Sequence, residues 1–226
     1  MRAPLSSGPA AARALLAAAL VFAGGVPVGA TEAIAEPIRD WDFRVLLDGK
    51  PIGTHHFKVG TPGELREVVS EASFSVCFFG ITAYRYRHRA AERWHGGCLS
   101  TLASDTDDDG KPSRVRLDWR GEAVAVSSAS AASQPLQGCV MSFAYWNPAI
   151  RTQAQLLNAQ TGQLESVRIQ RLPEGSIDVH GRAVAANGFR ITGPAHPIDV
   201  WYSAEGDWIG LDSMVGDGKA LSYRLP

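Results

Sequence analysis

Tyr84-Arg85-Tyr86-Arg87-His88-Arg89-Ala90-Ala91-Glu92-Arg93-Trp94 alternates two kinds of side chain with a period of two. Neighbouring residues of a strand point to opposite faces, so this pattern predicts a β-strand. Its two faces have different chemistry. One carries Arg85, Arg87, Arg89 and Arg93, and the other carries Tyr84, Tyr86, His88, Ala90 and Trp94. The strand predicts a β architecture with one packed, aromatic face, and it indicates no reaction.

Strand and turn signals continue on both sides of this segment. Three Asp-Gly-Lys triplets, at Asp48–Lys50, Asp109–Lys111 and Asp217–Lys219, separate alternating or apolar runs. Asp-Gly supplies the positive φ of tight hairpin turns. About eleven short strands follow from these signals. They predict a mostly β protein built on a curled antiparallel sheet.

The apolar pattern also predicts how the two central strands pair. If paired residue numbers have an even sum, Phe74 and Phe78 share the inner face with Tyr86, and Glu71 lies among the arginines on the outer face. A shift of one residue would place both phenylalanines beside guanidinium groups. The even register is therefore expected.

Residues 140–157 interrupt the strand pattern. Apolar side chains recur there at helical spacing, and Asn147-Pro148 breaks the run. The residue before a proline avoids the α region, so the pattern predicts a helix over 140–146 and a second over about 148–157. This helical insertion is expected to cover the inner face of the sheet.

The first 35 residues have the composition of a secretory signal peptide. Arg2 and Arg13 accompany the apolar run Ala14–Ala23, which is far shorter than the roughly 20 residues of a membrane-spanning helix. Two small-x-small sites permit cleavage, after Ala30 and after Ala35. The second is closer to Ala-x-Ala and predicts a mature chain starting at Glu36, although an uncleaved anchor remains an alternative.

The mature chain is expected to be one β-rich domain over residues 36–226, located in the periplasm or secreted. Loss of the signal peptide reduces the basic residues from 22 to 20 and the acidic residues from 23 to 22, leaving a net charge of −2. General nucleic-acid binding needs a basic excess, so we expect no nucleic-acid partner. No transmembrane segment is expected after cleavage.

Three cysteines in an exported chain raise the question of pairing. Cys98 and Cys139 both follow a glycine and lie next to predicted element boundaries. They are the predicted disulfide, which leaves Cys77 free in a strand. Three buried, reduced thiols are the alternative.

Motifs for metal binding or catalysis are incomplete. Residues 105–110 match the first half of a calcium-binding loop, but Arg116 replaces the required glutamate, so an acidic hairpin turn is the preferred interpretation. His55 and His56 are adjacent and would point to opposite faces of a strand. A Cys77–His88 nucleophilic pair would likewise be separated in the even register. We therefore predict no catalytic residue, no metal site and no cofactor.

Two surfaces are candidates for binding. Arg85, Arg87, Arg89 and Arg93 form either an anion or partner face, or a solvated face neutralised by acidic residues such as Glu71 and Asp105. The inner face forms either a core or a site for an apolar ligand. The candidate ligand-binding residues are Tyr84, Tyr86, Trp94, Phe143, Tyr145 and Trp146.

Several segments together resemble a known family. They are Trp41–Phe43, Ala83–His88, Glu92–Trp94, Cys139–Ile150, Leu156–Asn158 and Val200–Ser203. The chain resembles an uncharacterised family of exported proteins from Gram-negative bacteria, a domain of unknown function, and this resemblance supplies no catalytic residue. The succession of elements also looks like periplasmic half-barrel proteins, some of which carry lipids or lipoproteins. That likeness is one of architecture.

The expected function is that of a periplasmic, non-enzymatic binding protein for an apolar or amphiphilic ligand, such as a lipid. The alternative is a cell-envelope module that docks a protein partner through its polar face.

The first testable prediction concerns cleavage. N-terminal sequencing of the exported protein should begin at Glu36, because Ala33-Ile34-Ala35 places small residues where signal peptidase needs them. A start at Thr31 would select the earlier site, and an intact N-terminus would indicate an uncleaved anchor.

Overall fold

The computed structural model describes residues 39–60, 65–78, 81–119, 121, 123–128, 131–216 and 218–226. The predicted signal peptide and Asp217 of the third Asp-Gly-Lys triplet lie outside them. The described residues are mostly antiparallel β-structure, as expected. The strands are β1 (Arg39–Leu47), β2 (Lys50–Gly60), β3 (Leu65–Phe78), β4 (Ile81–His95), β5 (Cys98–Asp108), β6 (Lys111–Trp119), β7 (Ala123–Ser128), β8 (Ala131–Gln137), β9 (Gln155–Leu157), β10 (Leu164–Ser166), β11 (Arg168–Arg171), β12 (Gly175–Val179), β13 (Arg182–Thr192), β14 (Ile198–Tyr202), β15 (Trp208–Val215) and β16 (Lys219–Arg224).

The expectation of about eleven strands was too low. The described residues contain sixteen strands, several of them only three to five residues long, and Val167 alone separates β10 from β11. The backbone N–H of Val167 donates to the carbonyl of Ala154 at 2.8 Å. The chain changes its pairing partner at this point, because β10 pairs with β9 and β11 pairs with β13.

Fourteen strands form one sheet, in which β11-β13-β14-β15-β16-β1-β2-β3-β4-β5-β6-β7-β8 are successive neighbours and β12 also pairs with β13. Strands β1 and β16 pair, so the first and last strands of the described chain lie in the middle of the sheet. One cluster of buried side chains includes Phe43 of β1, Leu117 of β6 and Val200 of β14. The sheet curls, and its concave face holds the core.

The expected register of β3 and β4 is confirmed from Leu65 to Val76, but it shifts by one residue at Cys77, so Phe78 pairs with Ile81 outside the even register. Phe74 lies opposite Tyr86 and Glu71 opposite Arg89, and the rings of Phe74 and Tyr86 stack with centroids 5.2 Å apart. This cross-strand aromatic pair lies on the concave face, which stabilises the register as well as the strand pair.

Two of the predicted Asp-Gly turns are confirmed. Asp48 and Gly49 join β1 to β2 with φ of 47° and 76°, and Asp109 and Gly110 join β5 to β6 with φ of 50° and 81°. Two successive residues with positive φ define the tight turn whose twist matches that of the flanking strands.

The predicted helices are wrong. Residues 138–163, which we call the crossing segment, run across the concave face mostly in extended or irregular conformation. Val140 accepts a backbone hydrogen bond from Leu99 at 2.8 Å, and Met141 accepts one from Leu157 at 2.8 Å. The apolar spacing misled the prediction because residues 140–147 are buried or half-buried without interruption, rather than along one helical stripe.

Where the second helix was predicted, the structure has only a short 3-10 helix, Pro148–Thr152. It begins at Asn147, whose side chain accepts a hydrogen bond from the backbone N–H of Ala149 at 3.0 Å. Proline at the first helical position and asparagine before it are typical of a helix start. The chain leaves the helix at Gln153 and enters β9.

The predicted disulfide is confirmed. Cys98, at the start of β5, is bonded to Cys139, at the start of the crossing segment, and Cys77 is free and exposed. The cross-link therefore fixes one end of the crossing segment to the sheet.

Replacing Cys98 and Cys139 together by alanine should lower the free energy of unfolding by about 4 kcal/mol, because the disulfide closes a loop across 41 positions. Urea denaturation measures the change. The control, Cys77→Ala, removes the exposed free thiol and should change stability by less than about 0.5 kcal/mol. Equal midpoints for the double variant and the wild type would contradict this role of the disulfide.

Candidate functional site

A cavity of about 840 Å³ lies between the concave face of the sheet and the crossing segment. Its wall is largely aromatic. The sheet contributes Phe57, Phe74, Tyr86 and Tyr223, and the crossing segment contributes Phe143 and Tyr145. The cavity is thus formed where the crossing segment only partly fills the curl of the sheet.

Five of the six predicted ligand-binding residues line this cavity: Tyr84, Tyr86, Phe143, Tyr145 and Trp146. Trp94 lies elsewhere. It is fully buried beneath the crossing segment, where its ring packs edge-on against Trp146 with centroids 5.3 Å apart. Alternation placed Trp94 on the correct face, but the face extends further along β4 than the cavity does.

Hydrogen bonds hold the crossing segment at the cavity wall. Tyr202 donates its hydroxyl hydrogen to the carbonyl of Tyr145 at 2.8 Å. Ser142 donates to Oε1 of Glu92 at 3.0 Å. These bonds fix the backbone on both sides of Phe143, so the aromatic side chains of the segment are held in place before any ligand arrives.

The carboxyl of Glu92 accepts hydrogen bonds from Ser142 of the crossing segment and from Trp94 of β4. Its Oε2 accepts a hydrogen bond from Nε1 of Trp94 at 2.8 Å. Burial raises the pKa of the Glu92 carboxyl, and its bonds to Trp94 and Ser142 oppose that rise in part. Glu92 lines the cavity, but its oxygens are occupied in positioning the crossing segment.

A polar group inside the cavity joins three distant parts of the chain. Nε2 of His55 lies 2.7 Å from the hydroxyl oxygen of Ser70, and its Nδ1 lies 3.3 Å from that of Tyr223. The ring stacks on Phe57, with centroids 4.0 Å apart. The sequence showed that His55 and His56 point to opposite faces. It did not show that Tyr223 meets His55.

Burial determines the charge of the two cavity histidines. It lowers the pKa of His55 to about 3, with smaller contributions from the neighbouring His88 and His56. Burial also lowers the pKa of His88 to about 4, which Asp105 opposes. The Nδ1 atom of His88 lies 2.8 Å from the hydroxyl of Thr106. Both imidazoles are therefore neutral near pH 7.

The cavity extends to the end of the sheet where β1, β3, β5 and β15 finish. Val76, Asp108, Val215 and Lys219 line it there, and the hydroxyl of Tyr84 donates to Oδ1 of Asp108 at 2.7 Å. Among the described lining residues, Lys219 is the sole lysine or arginine.

The structure does not bring a nucleophile and a base together at Cys77 and His88. Cys77 is exposed near Ser75 and Thr82, whereas His88 is buried on the concave face. In the part of the chain that the structure describes, no three metal-ligating side chains cluster. No helix there has the length and hydrophobicity that membrane crossing requires.

The four arginines of β4 lie on the exposed, convex face. Arg89 pairs with Glu71 at 3.3 Å and Arg93 with Glu67 at 3.0 Å. Asp105, which was expected to balance them, instead pairs with two β6 residues, Arg114 at 2.8 Å and Arg116 at 3.1 Å. All these pairs are solvated and contribute little to stability.

Comparison with known proteins identifies a family. A family model described as a domain of unknown function (DUF6134) matches residues 43–226. A similar fold occurs in the crystal structure of a β-barrel-like protein of domain of unknown function DUF1849 from Brucella abortus, with a TM-score of 0.59 and 8% sequence identity over 85% of this chain and 97% of that chain. At this identity the likeness shows the fold alone. No curated protein matches.

A pH prediction follows from His55. A histidine in the unfolded chain binds a proton near pH 6.5, whereas folded His55 does so only near pH 3. Between these values the unfolded state holds the extra proton, so acidification favours unfolding. The wild type should therefore lose about 2 kcal/mol more than His55→Gln when the pH falls from 7 to 5.

Urea midpoints at the two pH values test this expectation. The matched control is His56→Gln, which changes the half-buried histidine next to His55 on the opposite face of the strand and should keep the wild-type decline. A His55→Gln protein that loses as much stability as the wild type would refute the assignment of a neutral His55.

Proposed function

We propose that this chain, which belongs to the DUF6134 family of unknown function, is an exported, non-enzymatic protein that binds an apolar or amphiphilic ligand. The observation that carries the proposal is the aromatic cavity of about 840 Å³. Small-molecule sites typically have volumes of about 300–1,000 Å³ and mostly apolar walls with a few polar groups. The cavity fits this description in both size and lining.

A packing defect is a poor explanation for so large a space. Protein interiors contain few voids larger than a water molecule. Elsewhere on the concave face the same sheet is tightly filled, and Trp94, Leu99, Leu117 and Trp208 are at most 1% exposed. Because the rest of this core is tightly packed, the open space supports a cavity that binds a ligand.

The wall of the cavity is also preorganised. The disulfide at Cys139, the Ser142–Glu92 bond and the Tyr202–Tyr145 bond restrain the crossing segment at three successive points. A wall that is already ordered loses less conformational entropy when a ligand binds. This favours binding, and it makes a lid motion of this segment unnecessary for the proposed function.

Export is supported by the predicted signal peptide and by the disulfide, since disulfides persist mainly in oxidising compartments. The alternative, docking of an envelope protein on the arginine face, has weaker support. Two of the four arginines are already paired with glutamates of β3.

The binding proposal predicts that Val76→Trp blocks the cavity. Val76 lines the cavity opposite Tyr84, so an indole at this position should lower the affinity for an apolar ligand by about tenfold or more. Fluorescence titration with the uncharged probe N-phenyl-1-naphthylamine measures the affinity. Native mass spectrometry of the gently purified protein measures any co-purifying lipid.

Ser75→Trp provides the matched control. Ser75 precedes Val76 on the same strand but is exposed on the convex face, so the same added bulk should leave probe binding unchanged. If the wild type binds no probe and carries no lipid, the proposed function is wrong. Equal loss in both variants would mean that the probe binds elsewhere.

A further inference from the structure

We infer that the polar end of the ligand is an uncharged, oxygen-bearing group, such as a hydroxyl, ester or amide, held inside the cavity by Tyr86 and by the Ser70–His55–Tyr223 group. The inference rests on the proposed function and specifies its ligand class. It excludes ligands whose ionised carboxylate or phosphate must enter the cavity.

The hydrogen-bonding capacity of His55 gives the first argument. A neutral imidazole has one N–H donor and one nitrogen acceptor, so one of its two hydroxyl partners donates to it and the other accepts from it. The accepting hydroxyl, on Ser70 or Tyr223, keeps its own hydrogen. Neither hydroxyl forms a further hydrogen bond within the described residues, and both residues line the cavity. One O–H donor is therefore left for an acceptor in the cavity.

Two further polar atoms are available beside it. The Tyr86 hydroxyl and Nε2 of His88 form no hydrogen bond with the described part of the protein, whereas every enclosed side-chain nitrogen or oxygen there has a partner. These two atoms must therefore contact the open space of the cavity that their residues line. The rings of Tyr86 and His88 stack with centroids 6.4 Å apart, so both polar atoms belong to the same part of the cavity wall.

The charges of the lining give the second argument. The polar groups just named are phenols, a serine hydroxyl and two neutral imidazoles, none of which carries a positive charge near pH 7. The charged residues of the lining are Glu92, Glu165, Asp108 and Lys219. Three carboxyl groups thus outnumber the one lysine, and the polar groups at Tyr86 and His55 supply no cation, so burying an anion beside them costs several kcal/mol. An uncharged hydroxyl or carbonyl would gain hydrogen bonds without that cost.

Amphiphiles of equal chain length test the inference. At pH 8, 1-monomyristoylglycerol, myristate and tetradecylamine are compared by their displacement of N-phenyl-1-naphthylamine from the full mature protein. A carboxylic acid is ionised at this pH. Monomyristoylglycerol should bind at least about tenfold more tightly than myristate, and also more tightly than the cationic amine.

The variant Tyr86→Phe tests the polar contact itself. It removes a hydroxyl that has no hydrogen-bond partner among the described residues, so folding is retained, and the affinity for monomyristoylglycerol should fall about three- to tenfold. The affinity for myristate should not change. Ser75→Ala is the control on the convex face, since it removes an exposed hydroxyl that lies outside the cavity, and it should keep the wild-type preference.

The outcomes separate this inference from the proposed function. Binding of myristate or of the amine as tightly as the glyceride overturns the inference but retains an amphiphile-binding protein. An unchanged glyceride affinity in Tyr86→Phe also overturns it. A wild type that binds neither the probe nor any of the three amphiphiles overturns the proposed function together with the inference.

Discussion

The pairing of β1 with β16 joins two groups of antiparallel strands, β1–β8 and β11–β16, into one sheet. Val45 lies opposite Tyr223 and Leu47 opposite Leu221, so strands from the two ends of the described chain form the centre of the sheet. Without this contact the strands β1–β8 and β11–β16 would each present an unpaired edge. The contact also brings Tyr223 to His55, across 168 positions of sequence. The polar group of the cavity therefore depends on a backbone pairing of very long range.

Much of the architecture followed from strand alternation and turn chemistry. In β4 the tyrosines, His88, Ala90 and Trp94 face the inside of the curl and the arginines face solvent. The sequence alone therefore predicted the two faces, the register with β3 as far as Val76 and two hairpin turns. Cys98 and Cys139 could be paired because both lie at element boundaries beside glycine. These features are local, or require only that one face of a strand be hidden.

The cavity was harder to predict because its features arise from burial on several sides. Residues 140–147 have apolar side chains in a helix-like pattern, yet they are buried or half-buried throughout, and their backbone accepts hydrogen bonds from Leu99 and Leu157. A periodicity argument assumes one buried stripe and fails there. The tyrosines could be assigned to the inner face, but the position of Trp94 under the crossing segment and the meeting of His55 with Tyr223 both depend on tertiary packing.

The position of the last strand at the centre of the sheet imposes an order on assembly during synthesis. The disulfide can form once residue 139 is available, because both of its cysteines belong to the earlier part of the chain. The wall containing Tyr223 forms only when β16, the last of the described strands, pairs with β1. A chain can thus be covalently cross-linked while its cavity is still incomplete, which leaves apolar surface and a strand edge exposed until β16 pairs with β1.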